Sequence, residues 1–275
     1  MENTFSPEEN NQQYYRYDQI AEKLHGLDAV DEEQIIKYRN QGYLAVEEVL
    51  TLEEVKKSID ALLELINTRS RGARIELYMK TWDELKTDEE RELAVRKVSN
   101  FVENDEWLKG IANHPGIMAK LELILGEKPK LAQAIALLKP PGGLDIPWHQ
   151  DMSVGGLAYD KTVIGVWIAL DEAELENGCM HVIPGSHAGG AIPHYALRSW
   201  QLCGRDIPVE EDVAVTLKPG GLMLFHGLIK HGTPHNLSAK RRRALQFHYV
   251  GISAKKLVPA EYKRMFTNDM TSAEC

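Results

Sequence analysis

Trp148-His149-Gln150-Asp151 is the stretch that decides how this chain is read. Residues i and i+2 of an extended strand project to the same side. His149 and Asp151 would therefore present an imidazole and a carboxylate together at the end of a strand. The surrounding sequence supports strands. From residue 130 on, short apolar runs at 132–138, 163–170, 179–183, 213–217, 222–225 and 244–252 alternate with turns. The turns are Pro140-Pro141-Gly142-Gly143, Asn177-Gly178, Pro184-Gly185 and Pro219-Gly220-Gly221. Many short strands with such punctuation predict a β-sandwich or barrel. In 163–170, the face of Ile164, Val166, Ile168 and Leu170 is wholly apolar and is expected to pack against helices.

Upstream the pattern is helical. Asp31 caps a predicted helix, and Thr51-Leu52-Glu53-Glu54 reads as a capping box followed by Val55, Ile59, Leu62, Leu63 and Ile66. Tyr43-Leu44-Ala45-Val46 reads as a short strand, 85–95 as an exposed helix or loop, and 104–125 as one more helix. Residues 1–18 are polar and acidic and are expected to be mobile. The predicted class is α+β with a mainly β core. One domain spans 1–275, with 31–125 a mostly helical support and 130–253 the core.

Net charge is -9 with 27% charged residues, which argues against nucleic acid or an anionic membrane as the main partner. The N-terminal stretch carries no apolar run and reads as neither signal peptide nor anchor. Cys179, Cys203 and Cys275 are few and scattered, so no disulfide framework is expected. Together these predict a cytoplasmic protein.

A His-x-Asp pair among ten histidines is weak evidence taken alone. A second imidazole, from His231, would put two nitrogens and one oxygen on one face of a metal and leave the other face open, a ligand set suited to Fe(II) and O2. His231 follows an apolar run and precedes the turn Gly232-Thr233-Pro234, near a strand end. His226, five residues upstream, is its rival; spacing does not exclude it, and the interval to Arg242 favours His231. His231 and His235 have helical zinc-site spacing, but Gly232 and Pro234 preclude a helix. Arg242, heading the last run, is a fork-shaped cation suited to a carboxylate, and Thr233 can add a hydroxyl. If Arg242 faces inward, Ala244, Gln246 and His248 share its face. Arg71, Arg74, Lys80 and Arg198 read as surface residues, Lys240 and Arg241 as a solvated turn.

The chain resembles the phytanoyl-CoA dioxygenase family of Fe(II)/2-oxoglutarate oxygenases. The resemblance is carried by Pro147-Trp148-His149-Gln150-Asp151 and Gly165-Val166-Trp167-Ile168-Ala169-Leu170, and by Glu176-Asn177-Gly178-Cys179-Met180-His181-Val182-Ile183-Pro184-Gly185-Ser186-His187. His231-Gly232-Thr233-Pro234-His235-Asn236 and Arg242-Arg243-Ala244 complete it. It implies a double-stranded β-helix, iron held by His149, Asp151 and His231, and 2-oxoglutarate held by Arg242 with Thr233, Trp167 and Lys97 as further contacts. It implies hydroxylation of a small molecule with O2 as co-substrate and with release of succinate and CO2. Desaturation, epimerisation or ring formation on the same residues, or non-catalytic binding, are the alternatives. The carboxylate of Asp151 favours oxygenation over halogenation. Thr233 stands where many relatives have serine, and Gly221 where many have aspartate.

Overall fold

The structure is a computed structural model, and it describes residues 6–70, 72–78, 80–269 and 274–275. In chain order the elements are α1 (Pro7–Tyr14), β1 (Lys23–His25), α2 (Glu32–Gln41), β2 (Tyr43–Glu47), α3 (Leu52–Asn67), β3 (Arg74–Leu77), α4 (Asp88–Ala94), β4 (Val95–Ser99), α5 (Glu106–Ala112) and α6 (Pro115–Leu125). The second half holds β5 (Pro129–Lys139), β6 (Ile146–His149), β7 (Val163–Ala169), β8 (Met180–Val182), β9 (Tyr195–Ala196), β10 (Trp200–Gln201), β11 (Val213–Val215), β12 (Leu222–His226), β13 (His231–Thr233), β14 (Arg242–Gly251) and α7 (Pro259–Phe266).

Two facing sheets form the core. The large one runs β1-β2-β12-β7-β14-β5-β4-β3 and the small one β11-β8-β13-β6. Along the chain β5, β7, β12 and β14 go to the large sheet, and β6, β8, β11 and β13 to the small one. That distribution is the double-stranded β-helix, and it accounts for the predicted runs. The outer face of the large sheet carries Ile164, Val166, Ile168 and Leu170, which join Leu62, Ile66, Leu108 and Leu121 of the helices in one buried cluster. The apolar face of 163–170 thus meets helices, as its composition requires. A second cluster lies between the sheets, where Trp167, Ala169, Phe225 and Ala244 meet Met180, Val182 and Val215.

Local chemistry sets the helix ends. Thr51 and Glu54 cap each other's backbone N–H at 2.8 and 3.2 Å, and Asp31 accepts from the Gln34 N–H at 3.0 Å. Gly42 ends α2 with φ of 81°, a conformation that favours glycine.

Four expectations are corrected. Residues 104–125 are two helices, because Pro115 lacks an N–H and is tolerated only in a first turn; it opens α6, with His114 as cap. Residues 31–125 supply, besides the expected strand β2, the unpredicted β3 and β4, so that this part extends both edges of the large sheet. The segment 1–18 is not a mobile tail where it is described. Residues 1–5 lie outside the described part, but from Ser6 the chain forms a capped helix with Asn10, Asn11 and Tyr15 buried. Tyr15 stacks on Trp148 with ring centroids 5.4 Å apart, and the Trp148 indole donates to the Tyr14 carbonyl at 2.8 Å. Finally, Cys203 and Cys275 form a disulfide, because the C-terminal segment returns to place their Cα atoms 5.4 Å apart. Cys179 is free and buried. Among the described residues no helix is long and apolar enough to cross a membrane.

Candidate metal centre and co-substrate pocket

His149 ends β6, and the extended Gln150 turns the chain so that Asp151 projects to the same side. β13 runs antiparallel to β6 with His231 directly across from His149. The pairing therefore supplies the third group. His149 Nε2 lies 3.2 Å from Asp151 Oδ1 and His231 Nε2 lies 3.5 Å from the same oxygen. One ligand atom from each of the three residues falls within 4.8 Å of the others. Bonds of about 2.0–2.2 Å to a transition metal put neighbouring ligands about 3 Å apart, so modest contraction would seat an ion.

The protonation pattern suits the same use. His149 Nδ1 donates to the Pro147 carbonyl at 2.8 Å, and His231 Nδ1 donates to the Ile229 carbonyl at 3.1 Å. With Nδ1 engaged in this way each ring turns Nε2 toward Asp151, an arrangement typical of ligating histidines, and a bound metal would take the place of any proton there. The imidazoles around Asp151 hold its carboxyl well below the usual carboxylate range despite the opposing effect of burial. Its second oxygen, Oδ2, contacts His248 Nε2 at 2.7 Å and the Gln246 amide at 3.2 Å. Beneath the site, the Phe225 ring centroid lies 5.1 Å from that of His231. Gly165 makes room for this ring, because a Cβ there would come within 2.1 Å of it.

The three groups open onto a cavity of about 590 Å³ whose wall also includes Thr233, Trp167, Gln246 and His248. Register explains its inner face. Arg242, Ala244, Gln246 and His248 of β14 stand opposite Lys139, Leu137, Ile135 and Gln133 of β5. The end of this strand pair near the His/Asp/His group carries His248, which borders the cavity; the opposite end carries Arg242 and Lys139, which are buried behind its wall.

Arg242 is fully buried, yet its Nε, Nη1 and Nη2 have no protein hydrogen-bond partner. Burial pushes its guanidinium down to about 10. The neighbouring Arg243, by contrast, is paired with Asp171 and Glu92 at 2.7 and 2.8 Å. The Arg242 guanidinium sits 5.2 Å from the Trp167 ring, whose buried Nε1 is also without a partner. Unpaired buried donors are costly, and a bound carboxylate would satisfy them.

Lys97 stands beside Leu137 on the cavity wall, and its ammonium pairs with Glu76 at 3.1 Å. Arg74, read as a surface residue, borders the same cavity and pairs with Glu76 at 3.3 Å. Lys80 is exposed, Arg198 pairs with Asp145 at 3.0 Å, and Arg71 lies outside the described residues. Lys240 and Arg241 pair with Glu174 and Glu92 at the surface. His226, the rival ligand, instead accepts the Leu228 N–H at 3.0 Å and lies against His187. His181 is bound to Asp212 at 2.8 Å on the other face of the small sheet, against Tyr15 and Tyr17. Trp148 packs on Tyr15 and does not border the cavity.

Sequence reasoning passed over Lys139. Its signal was a charged residue closing an apolar run in phase with Ile135 and Leu137, hence on their inward face.

The chain is 27% identical over 252 residues to a phytanoyl-CoA dioxygenase of Arabidopsis thaliana, covering 79% of this chain and 88% of the relative. It is 27% identical over 266 residues to phytanoyl-CoA dioxygenase domain-containing protein 1 of Danio rerio, covering 81% and 90%. Among solved structures, the epimerase SnoN in complex with Fe3+, alpha ketoglutarate and nogalamycin RO superposes with a TM-score of 0.65 at 20% identity, covering 89% of this chain and 91% of that one. The model of the phytanoyl-CoA dioxygenase (PhyH) family matches residues 38–244, and the chain belongs to that family.

Proposed function

We propose that this protein is an Fe(II)- and 2-oxoglutarate-dependent dioxygenase that hydroxylates a small molecule, with O2 as co-substrate and succinate and CO2 as by-products. One observation carries the reading: a His/Asp/His set and a buried guanidinium without a partner lie along the inward face of one barrel. Two neutral imidazole nitrogens and one carboxylate suit a non-haem ferrous ion and leave coordination positions open. Iron bound there would supply O2 activation coupled to oxidation of the 2-oxo acid.

The chain's own residues do the rest. His149, Asp151 and His231 hold the ion, and Asp151 adds the single negative charge. Arg242 pairs with the distal carboxylate of 2-oxoglutarate, Thr233 donates its hydroxyl to it, and Trp167 flanks both. Lys97 would join them by exchanging Glu76 for a ligand carboxylate. The buried walls exclude water from the reacting centre.

The whole of 1–275 acts as one oxygenase unit in this reading, with 130–253 as its core. The net charge of -9 favours a small-molecule partner over nucleic acid or membrane. A cytoplasmic location belongs to the same proposal.

Epimerisation, desaturation or ring formation could use the same residues, and the SnoN structure belongs to an epimerase. The mass of the product separates them: one oxygen gained for hydroxylation, two hydrogens lost for desaturation or ring closure, no change for epimerisation. The test is succinate release by the Fe(II)-loaded protein from 2-oxoglutarate in air, with candidate substrates added. Release stimulated by a substrate supports the reading. No succinate under any condition would leave only a binding protein.

A further inference from the structure

We propose that Lys139 is a positioning residue for the distal carboxylate: its ammonium engages the oxygen of Thr233, so that the hydroxyl hydrogen is directed to the anion gripped by Arg242. This rests on the co-substrate reading just given.

Lys139 closes β5 and stands in register with Arg242 of β14. Both are buried. Lys139 Nζ lies 2.7 Å from Thr233 Oγ1 and 2.6 Å from the Pro234 carbonyl. An ammonium has three donors and no lone pair, so Thr233 is the acceptor in that contact. A hydroxyl that accepts there keeps its hydrogen for another partner. Thr233 borders the cavity, and the unpaired Arg242 donors mark where an anion would bind.

Electrostatics point the same way. Two cations side by side in a buried site are costly unless an anion joins them. Burial, with the Arg242 charge next, pushes the Lys139 ammonium well below its ordinary value. A carboxylate arriving between the pair would offset both effects.

The Asn177-Gly178 turn is shaped around this lysine. Gly178 has φ of 78°, and a Cβ there would lie 2.5 Å from the Pro234 carbonyl and 3.2 Å from Lys139 Nζ. Glycine at 178 thus leaves room for the Lys139–Pro234 contact.

The test uses Fe(II)-loaded protein without oxygen and two ligands, measured by calorimetry: 2-oxoglutarate and 2-oxovalerate, which lacks the distal carboxylate. Lys139→Met is expected to weaken 2-oxoglutarate about tenfold, as loss of one charge-assisted contribution should, and to leave 2-oxovalerate unchanged. The preference of the protein for 2-oxoglutarate therefore shrinks by the same factor. A purely structural role would weaken both ligands alike, and an unchanged preference overturns the proposal. Should Lys139→Met not fold, Thr233→Val and Thr233→Ser carry the test. Valine must shrink the preference and serine must keep it; an unchanged preference in the valine variant again overturns it. Wild-type protein that binds no 2-oxoglutarate brings down the proposed function as well, whereas a preference retained in the variants brings down this proposal alone.

Discussion

His248 Nε2 lies 2.7 Å from Asp151 Oδ2, the oxygen turned away from the closer contacts with His149 and His231. Residues that orient a ligand in this way typically account for about 10–100-fold in metal affinity. His248→Ala should lower Co(II) or Fe(II) affinity by about that factor, measured by anaerobic titration. An unchanged affinity would show that Asp151 needs no such support.

Asp151 is the only anionic member of the ligand set. Asp151→Ala should abolish substrate-stimulated succinate release, because two imidazoles alone hold a ferrous ion weakly. Wild-type turnover in this variant would refute the ligand assignment.

Arg242→Ala acts at the other end of β14 from His248. It deletes a charge-assisted pair worth about 1.5–3 kcal/mol, so the dissociation constant for 2-oxoglutarate should rise about 10–100-fold. Metal affinity should not move. A 2-oxoglutarate affinity equal to wild type would place the carboxylate elsewhere.

The rejected ligand His226 predicts a pH effect. Burial, with His187 adding to it, pushes its imidazole down to about 4. The unfolded chain takes up this proton near pH 6.5, as an unperturbed histidine does. The folded state therefore binds fewer protons between pH of about 4 and 6.5. Its contribution is fully present above that window and is lost as pH falls through it, at about 1.4 kcal/mol per pH unit. His226→Asn keeps an acceptor for the Leu228 N–H but cannot titrate. Denaturant unfolding across the window should show a shallower slope for this variant by about one proton. Equal slopes would mean that His226 is not excluded from protonation in the fold.

Much of the architecture was legible because period two and turn residues are local signals. The apolar face at Ile164–Ile168, the strands of the second half and the capping box at Thr51 all depend on neighbours in the chain. What escaped depends on long-range packing. The buried role of Asn11 and Tyr15 is invisible in a polar N-terminal segment, because their partners His235 and Ile146 are more than a hundred residues away. The Cys203–Cys275 bond escaped for the same reason, since spacing does not show where a chain end returns. The His-Asp-His grouping was readable from motif context, but the choice of His231 over His226 is made by the register of β13 on β6. Lys139 was in plain view on the inward phase of its strand. It gains meaning only beside Thr233 and Arg242, which arrive from a distant part of the chain.

The most direct test of the central claim is optical. Fe(II) and 2-oxoglutarate are added anaerobically to the purified protein, and the visible metal-to-ligand charge-transfer band of a chelated 2-oxo acid is titrated. One band per protein, saturable by 2-oxoglutarate and missing in Asp151→Ala, is the expected result. No band in folded wild-type protein at saturating iron and 2-oxoglutarate would contradict the account.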